Sequence, residues 1–339
     1  MSLIELTATE AAGKIRAGEI SSEELVQAYL DRIAEVDDQI QAWAYLNPAY
    51  ALEQARQLDD QRRTGAAMGP LHGIPVGIKD IFDTKLMATE NGTVLDSGRV
   101  PMEDSKAVSL LREAGAVIMG KTVTAELAFL GPGKTRNPHN PEHTPGGSSS
   151  GSAAAVAAFM VPLAIGTQTG GSIIRPASFC GVMGFKPTYG LIPRTGVLNA
   201  SPPLDTIGTY ARSLEDIALI TEVLMAYDAG DKASRIQASP ALSECLTTES
   251  PMTPIIGFAK TSVWDQADET TQEAFEELAD MLGDDCREVP LSEPFDHLAA
   301  MHKNIMAADL AKNYAPYHER GKDQLSDILC NMIEFGQTV

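Results

Sequence analysis

The stretch TPGGSSSGSAAAVA, residues 144–157, joins a run of glycine and serine directly to an alanine-rich apolar segment. A flexible linker, a phosphate-binding loop and a catalytic serine loop can all begin in this way. A linker would remain polar, whereas here an apolar helix pattern (153–160) and a strand pattern (162–166) follow at once. We therefore expect packed structure to hold the end of this loop, which makes its serines candidates for chemistry.

A second glycine-rich loop lies a few residues further on, in GTQTGGSIIRPAS, residues 166–178. It follows the predicted strand and presents one serine, Ser172, after Gly170 and Gly171. Glycines at such a turn can direct their backbone amides toward a developing negative charge, as an oxyanion hole requires. Taken alone, either loop would be interpreted as an ordinary turn, so the interpretation depends on a third feature.

That third feature is Lys79, in the predicted strand VGIKDIF, residues 76–82. One interpretation is structural: the ammonium forms a salt bridge with Asp80 or Asp83, or reaches solvent from an edge strand. The other is chemical. Burial lowers the pKa of a lysine that has no counter-ion, and a neutral lysine can act as a base. It could activate a serine directly or through a second serine hydroxyl, because a hydroxyl both donates and accepts.

Composition narrows the classes of function. The 339 residues are 44% hydrophobic and carry a formal net charge of −20, which indicates a globular protein and argues against binding to nucleic acids or anionic membranes. No basic, apolar leader and no apolar run of about 18 residues is present, so we expect a cytoplasmic protein without membrane association. The four cysteines form no CxxC pair, which argues against disulfides and zinc sites.

Two motif-like segments do not support cofactor binding. GPGKT (131–135) resembles the end of a phosphate-binding loop, but Ala128 stands where that loop needs a glycine. His139 and His143 have a metal-ligand spacing, but prolines between and around them exclude the helix that would align the two rings. We predict neither a metal nor an organic cofactor.

Secondary-structure signals predict an α/β protein. Capping boxes at Thr7 with Glu10 and at Ser21 with Glu24 mark two amphipathic N-terminal helices. Further on, a helix pattern, a glycine and an apolar strand pattern recur, which is typical of helices packed on a largely buried sheet.

Three stretches together resemble the amidase signature family. GPLHGIPVGIKDIFDT (69–84) is similar to the family's lysine segment, residues 146–190 to its glycine- and serine-rich signature, and LDTIGTYARSLEDIALI (204–220) to a downstream stretch. The resemblance implies a mixed central β-sheet flanked by helices on both faces. It implies a single domain over residues 1–339, with N-terminal helices (1–65), a catalytic core (66–230) and an acidic, mainly helical part (231–339).

The resemblance also implies a Ser–Ser–Lys triad. Ser172 matches the family's nucleophile, Ser148 the bridging serine after a cis peptide bond, and Lys79 the general base. It assigns the oxyanion hole to consecutive backbone amides, those of Thr169, Gly170, Gly171 and Ser172.

Some features depart from the family pattern. Ser150 replaces a common glycine, Gln168 stands where many members have an acidic residue, and Arg175 lies one place later than the usual arginine. Members of the family also continue beyond the point where this chain stops, so we expect the C-terminal strands and part of the substrate pocket to be missing. Unpaired strand edges and exposed apolar surface would follow.

The resemblance implies hydrolysis of a small-molecule carboxylic amide to acid plus amine or ammonia, through an acyl-enzyme on Ser172. One alternative is the glutaminase component of a tRNA-dependent amidotransferase, which works with partner subunits. Another is a truncated, non-catalytic remnant or interaction subunit. The amide and the assembly, whether a homodimer or a complex with partner subunits, stay open.

Overall fold

The computed structural model describes residues 2–339, which form two compact units. One contains the chain up to Leu246 together with Met306–Val339, and the other is Thr247–Ile305. The helices are α1 (Ala8–Ala17), α2 (Ser22–Ile40), α3 (Pro48–Arg63), α4 (Lys106–Glu113), α5 (Ser150–Ala157), α6 (Ile174–Cys180), α7 (Leu214–Leu224), α8 (Leu242–Thr247), α9 (Glu269–Leu282), α10 (Leu298–Asn313), α11 (Ala315–Gly321) and α12 (Asp327–Gly336). The strands are β1 (Trp43–Leu46), β2 (Pro75–Lys79), β3 (Val117–Thr122), β4 (Leu163–Gln168), β5 (Met183–Phe185), β6 (Thr206–Ala211), β7 (Ile256–Phe258) and β8 (Cys286–Glu288).

The larger unit is built on a six-stranded mixed sheet in the order β1-β3-β2-β4-β6-β5. Strand β2 is parallel to both β3 and β4, whereas β1 and β6 run antiparallel to their neighbours. Every residue of β2, β3 and β6 is buried, because helices flank the sheet. The predicted α/β fold, a mixed central sheet flanked by helices, is confirmed.

The N-terminal helices begin where the capping signals predict. The Thr7 hydroxyl accepts from the Glu10 amide, and the Glu10 carboxylate accepts from the Thr7 amide. The same reciprocal pair joins Ser21 and Glu24. Each box satisfies amides that have no partner inside the helix.

Several predicted boundaries were wrong. The strand predicted over 76–82 ends at Lys79, so that this lysine is its last residue. The segment 1–65, predicted as helices, also contains β1, and the mainly helical 231–339 contains β7 and β8. The single domain predicted over 1–339 stays a prediction, beside the compact unit that Thr247–Ile305 forms by itself.

A second, smaller apolar core lies within the larger unit, away from the main core on the sheet. It joins the C-terminal helices to residues on either side of the loop at 144–149 in the sequence. Its members are Leu127, Phe129, Ala200, Leu310, Tyr314, Leu325, Leu329, Cys330 and Ile333.

The smaller unit, Thr247–Ile305, contains the parallel pair of β7 and β8 and the helix α9. Asp268 caps α9 by accepting from the amide of Thr271, as expected for an acidic N-cap. None of the described helices, in either unit, combines the length and the hydrophobicity needed to span a membrane.

Candidate active site

Strand pairing brings Lys79 to the first predicted loop. Strands β2 and β4 are parallel neighbours, so their C-terminal ends lie at the same edge of the sheet. Lys79 ends β2, and its Nζ lies 2.9 Å from both Ser148 Oγ and Thr167 Oγ1. A lysine and a serine that are 69 residues apart in sequence are thus in direct contact.

The charge state of Lys79 follows from its surroundings. The side chain is fully buried and forms no salt bridge within residues 2–339. Burial lowers the pKa of Lys79 from 10.5 to about 7, against the opposing charge of Asp205. A substantial neutral fraction therefore exists near neutral pH.

The structural interpretation of Lys79 was wrong. Asp80 pairs with Lys121, at 3.1 Å, and Asp83 pairs with Arg99, at 2.7 Å. Because each aspartate already has a cation of its own, neither neutralises Lys79. Among the described residues the lysine has no carboxylate within salt-bridge distance, although Asp80 and Asp83 stand close to it in sequence.

The loop at 144–149 is packed and is not a linker. Ser148 is 1% exposed, and the Gly147–Ser148 peptide bond is cis, as the resemblance implied. The amide of Ala125 donates to the Ser148 carbonyl at 2.9 Å, and Arg175 donates to the Gly147 carbonyl from Nε and Nη2. The backbone on both sides of the Ser148 side chain is therefore hydrogen-bonded.

The start of α5 lies against the backbone of other elements. A Cβ at Gly151 would lie 2.3 Å from the carbonyl oxygen of Ala42 and from the amide nitrogen of Val123, so glycine is required there. Ser150, one of the departures from the family pattern, donates to the Val123 carbonyl at 3.3 Å. The Ser150 hydroxyl thus adds a hydrogen bond to the close approach between the start of α5 and the backbone of Val123, which Gly151 makes possible.

The turn between β4 and α6 carries Ser172, which is buried with 8% of its surface exposed. Within residues 2–339 its hydroxyl has no hydrogen-bond partner, and its carbonyl accepts from Tyr210 Oη at 3.0 Å. The backbone N–H groups of Gly170, Gly171 and Ser172 donate to no acceptor in that same part of the chain. Three consecutive free N–H groups beside a serine are what a developing oxyanion needs.

Two side chains hold this turn in place. Gln168 Oε1 accepts from the amides of Ile173 and Ile174, at 2.9 and 3.1 Å, in place of an acidic residue. The Thr169 hydroxyl donates to Asp205. The uncharged Gln168 therefore adds no negative charge beside Ser172.

Sequence reasoning missed Thr167 and Asp205. Thr167 lies on a strand, where a threonine is ordinarily interpreted as structural, and only the pairing of β2 with β4 shows that it faces Lys79. Asp205 lies within LDTIGTY, a stretch that carried the family resemblance but no chemical role. Burial raises the pKa of the Asp205 carboxyl, although four hydrogen-bonding or charged neighbours oppose this.

Two cavities of about 400 Å³ border the site. One is lined in part by Thr167 and Asp205, the other by Gly147, Ser150 and Arg175. Of the histidines considered as metal ligands, His139 has Nε2 2.8 Å from the carbonyl oxygen of Cys180, a protein group rather than an open position.

Comparison with known proteins identifies the family. The sequence matches the family described as Amidase over residues 24–336. The chain belongs to the amidase family. The prediction from the sequence is thereby confirmed.

Curated relatives and solved structures are consistent with this family. The chain is 39% identical over 323 residues to a glutamyl-tRNA(Gln) amidotransferase subunit from Cutibacterium acnes, covering 93% of this chain and 64% of that protein. It is 46% identical over 248 residues to the same subunit from Thermobifida fusca, covering 71% and 50%. The solved peptide amidase of Stenotrophomonas maltophilia has a TM-score of 0.83 at 31% identity, covering 97% of this chain and 75% of that one. The chain thus spans half to about two thirds of the length of these two curated relatives.

Proposed function

We propose that this chain hydrolyses a carboxylic amide through an acyl-enzyme on Ser172, with Ser148 as proton relay and Lys79 as base. The observation that carries the proposal is the buried Lys79, without a carboxylate partner, in contact with Ser148. A base with a pKa near the working pH is the most effective general base. A charged, salt-bridged lysine could not accept the proton.

In the first half of the reaction, neutral Lys79 takes the Ser148 proton while Ser148 takes the proton of Ser172. Ser172 Oγ bonds to the amide carbonyl carbon, and the carbonyl electron pair moves onto oxygen. The N–H groups of Thr169, Gly170, Gly171 and Ser172 are proposed to stabilise that oxyanion. Collapse breaks the C–N bond, and the leaving nitrogen receives the proton from the Lys79 ammonium through Ser148.

In the second half, a water molecule attacks the ester carbonyl and loses its proton to Lys79 through Ser148. Collapse breaks the bond to Ser172 Oγ, which recovers its proton by the same path, and the acid leaves. Every proton taken in one step is returned in the next, so the protein needs no metal or organic cofactor. A cytoplasmic location belongs to the same proposal.

A second candidate is the glutaminase role within an amidotransferase. The observation that favours it is the 39–46% identity to relatives named as glutamyl-tRNA(Gln) amidotransferase subunits. The two candidates share their chemistry and differ in substrate and in the need for partner subunits. Ammonia release from glutamine without turnover of aryl or aliphatic amides would favour the second.

The test uses a fluorophosphonate, which reacts with activated serines, followed by peptide-mapped mass spectrometry. We expect an adduct on Ser172 in the wild type and none in Ser172→Ala. Ser178→Ala, which changes an exposed serine on α6, is the matched control and should label like the wild type. If the folded wild-type chain carries no adduct on Ser172, the proposal fails, and a non-catalytic remnant or a partner-dependent subunit takes its place.

A further inference from the structure

The segment that precedes the Ser148 loop contains two residues in the left-handed backbone region. Leu127 has φ 44° and Ala128 has φ 58°. Residues with a Cβ rarely adopt this backbone conformation, because the Cβ comes too close to the following carbonyl oxygen. Such a turn persists only where its surroundings hold it.

The C-terminal part of the larger unit supplies these surroundings. Tyr314, which follows the last residue of α10 and is fully buried, donates its hydroxyl to the Leu127 carbonyl at 2.7 Å. Leu310 and Ile333 belong with Leu127 to the smaller apolar core. Ser326, just before α12, hydrogen-bonds the Glu126 carboxylate through both its hydroxyl and its amide.

Ala125 connects this turn to the candidate site. The amide of Ala125 donates to the Ser148 carbonyl at 2.9 Å. Ala125 also lines the cavity that Gly147, Ser150 and Leu130 border. The segment that Tyr314 contacts therefore supplies one of the backbone hydrogen bonds that hold Ser148.

The last turns of α10 reach the other side of the site as well. Asp309 accepts from the Ser201 hydroxyl at 2.5 Å, and Asn313 donates to the Ala200 carbonyl at 3.0 Å. The amides of Ala200 and Ser201 donate to one oxygen of Asp205, each at 2.9 Å. The other oxygen of Asp205 accepts from the Thr169 hydroxyl, in the turn that carries Ser172.

We infer that Asp309, Asn313 and Tyr314 are positioning residues that form a brace behind the site. One arm of the brace holds Ser148 through the Leu127 turn, and the other holds the oxyanion turn through Asp205. Within residues 2–339 none of the three forms a hydrogen bond or salt bridge with Lys79, Ser148 or Ser172, so the brace acts on geometry and not on the reacting atoms. Its effect on catalysis rests on the proposed function.

The first test replaces Tyr314 by Phe, which keeps the ring and removes only the hydroxyl. Tyr29→Phe is the matched control, because Tyr29 is also buried and donates to a backbone carbonyl, that of Ile4, away from the site. Two quantities are measured well below the unfolding temperature of each variant. They are the rate of fluorophosphonate labelling of Ser172 across pH, and hydrogen–deuterium exchange of the peptide that contains Ala125.

For Tyr314→Phe we expect labelling about tenfold slower, since small displacements of a reacting group cost this much or more. The midpoint of its pH dependence should stay unchanged, because Lys79 is not touched. The Ala125 peptide should exchange faster. Tyr29→Phe should match the wild type in both measurements. If Tyr314→Phe labels Ser172 and exchanges the Ala125 peptide at wild-type rates, the inference that Tyr314 is a positioning residue is wrong.

The second test compares two changes at Asp309. Asp309→Asn keeps an oxygen that accepts from Ser201, whereas Asp309→Leu removes it. We expect near-normal labelling in the first variant and slower labelling in the second; equal rates in the two would overturn the second arm. If even the wild type does not label, the proposed function fails, and the exchange comparison still decides whether Tyr314 holds the turn.

Discussion

The charge of Lys79 can be tested without any substrate, through the pH dependence of stability. Replacing Lys79 by Met keeps much of the length of the side chain and removes its ionisation. In the folded protein the pKa is about 7 because the ammonium is fully buried, whereas in the unfolded chain it returns to 10.5. Charging the folded lysine therefore costs about 5 kcal/mol more than charging the unfolded one.

The direction in which stability changes with pH follows from proton binding. Between pH 7 and 10.5 the unfolded chain holds a proton on Lys79 that the folded chain lacks, so this residue makes stability rise with pH across that window. Below pH 7 the folded protein carries the full penalty. Removing the ionisation should add about 5 kcal/mol to the free energy of unfolding at pH 6 and about 2 kcal/mol at pH 9. The lost hydrogen bonds to Ser148 and Thr167 count nearly equally at both pH values.

The assay is urea denaturation of the wild type and Lys79→Met at pH 6 and pH 9. The difference between the two proteins should change by about 3 kcal/mol between these pH values, with equal denaturant slopes. Lys85→Met is the control for removing an ammonium group, because that side chain is exposed. An equal effect of Lys79→Met at both pH values would mean that Lys79 keeps its proton on folding, which refutes the assignment of Lys79 as the base.

Two further predictions concern stability. Gly151→Ala places a Cβ 2.3 Å from the backbone oxygen of Ala42 and should lower stability by about 1–3 kcal/mol, whereas Gly13→Ala, with open space in α1, should raise it by about 0.5–1 kcal/mol. Thermal unfolding that ranks the two variants in the opposite order would contradict the packing at the start of α5. Burial opposes ionisation of Asp231, but hydrogen bonds from Arg194 and from the Ala233 amide, with the charge of Arg194, together outweigh it and lower the pKa of Asp231 to about 2. Asp231→Asn should therefore cost about 2 kcal/mol at pH 7, a cost that shrinks as pH falls below 4; a loss independent of pH would contradict it.

Local signals in the sequence predicted the features that depend on neighbouring residues. The capping boxes at Thr7 and Ser21 are examples, because each involves atoms three residues apart. The contact of Lys79 with Ser148 was expected only through the family resemblance. Spacing alone left the salt bridge to Asp80 open, and the pairing of that aspartate with Lys121 on the next strand could not be deduced from the sequence.

The sequence did not predict contacts between residues far apart in the chain, and it did not predict very short strands. The hydrogen bond from Tyr314 to Leu127 joins residues 187 positions apart, and nothing in either local sequence indicates the other. Strands of three or four residues, such as β1, β7 and β8, are too short for an alternating pattern to distinguish them from loops. Tertiary pairing, not local preference, makes such segments extended.

The brace has a consequence for synthesis of the chain on the ribosome. Ser172 precedes Tyr314 by about 140 residues, a delay of roughly 7–30 s at translation rates of about 5–20 residues per second. During this interval the nascent chain already contains Lys79, Ser148 and Ser172, but the Leu127 turn has no Tyr314 hydroxyl to hold it. If the brace acts as inferred, Ser172 should reach its full reactivity toward a fluorophosphonate only after Tyr314 has left the exit tunnel.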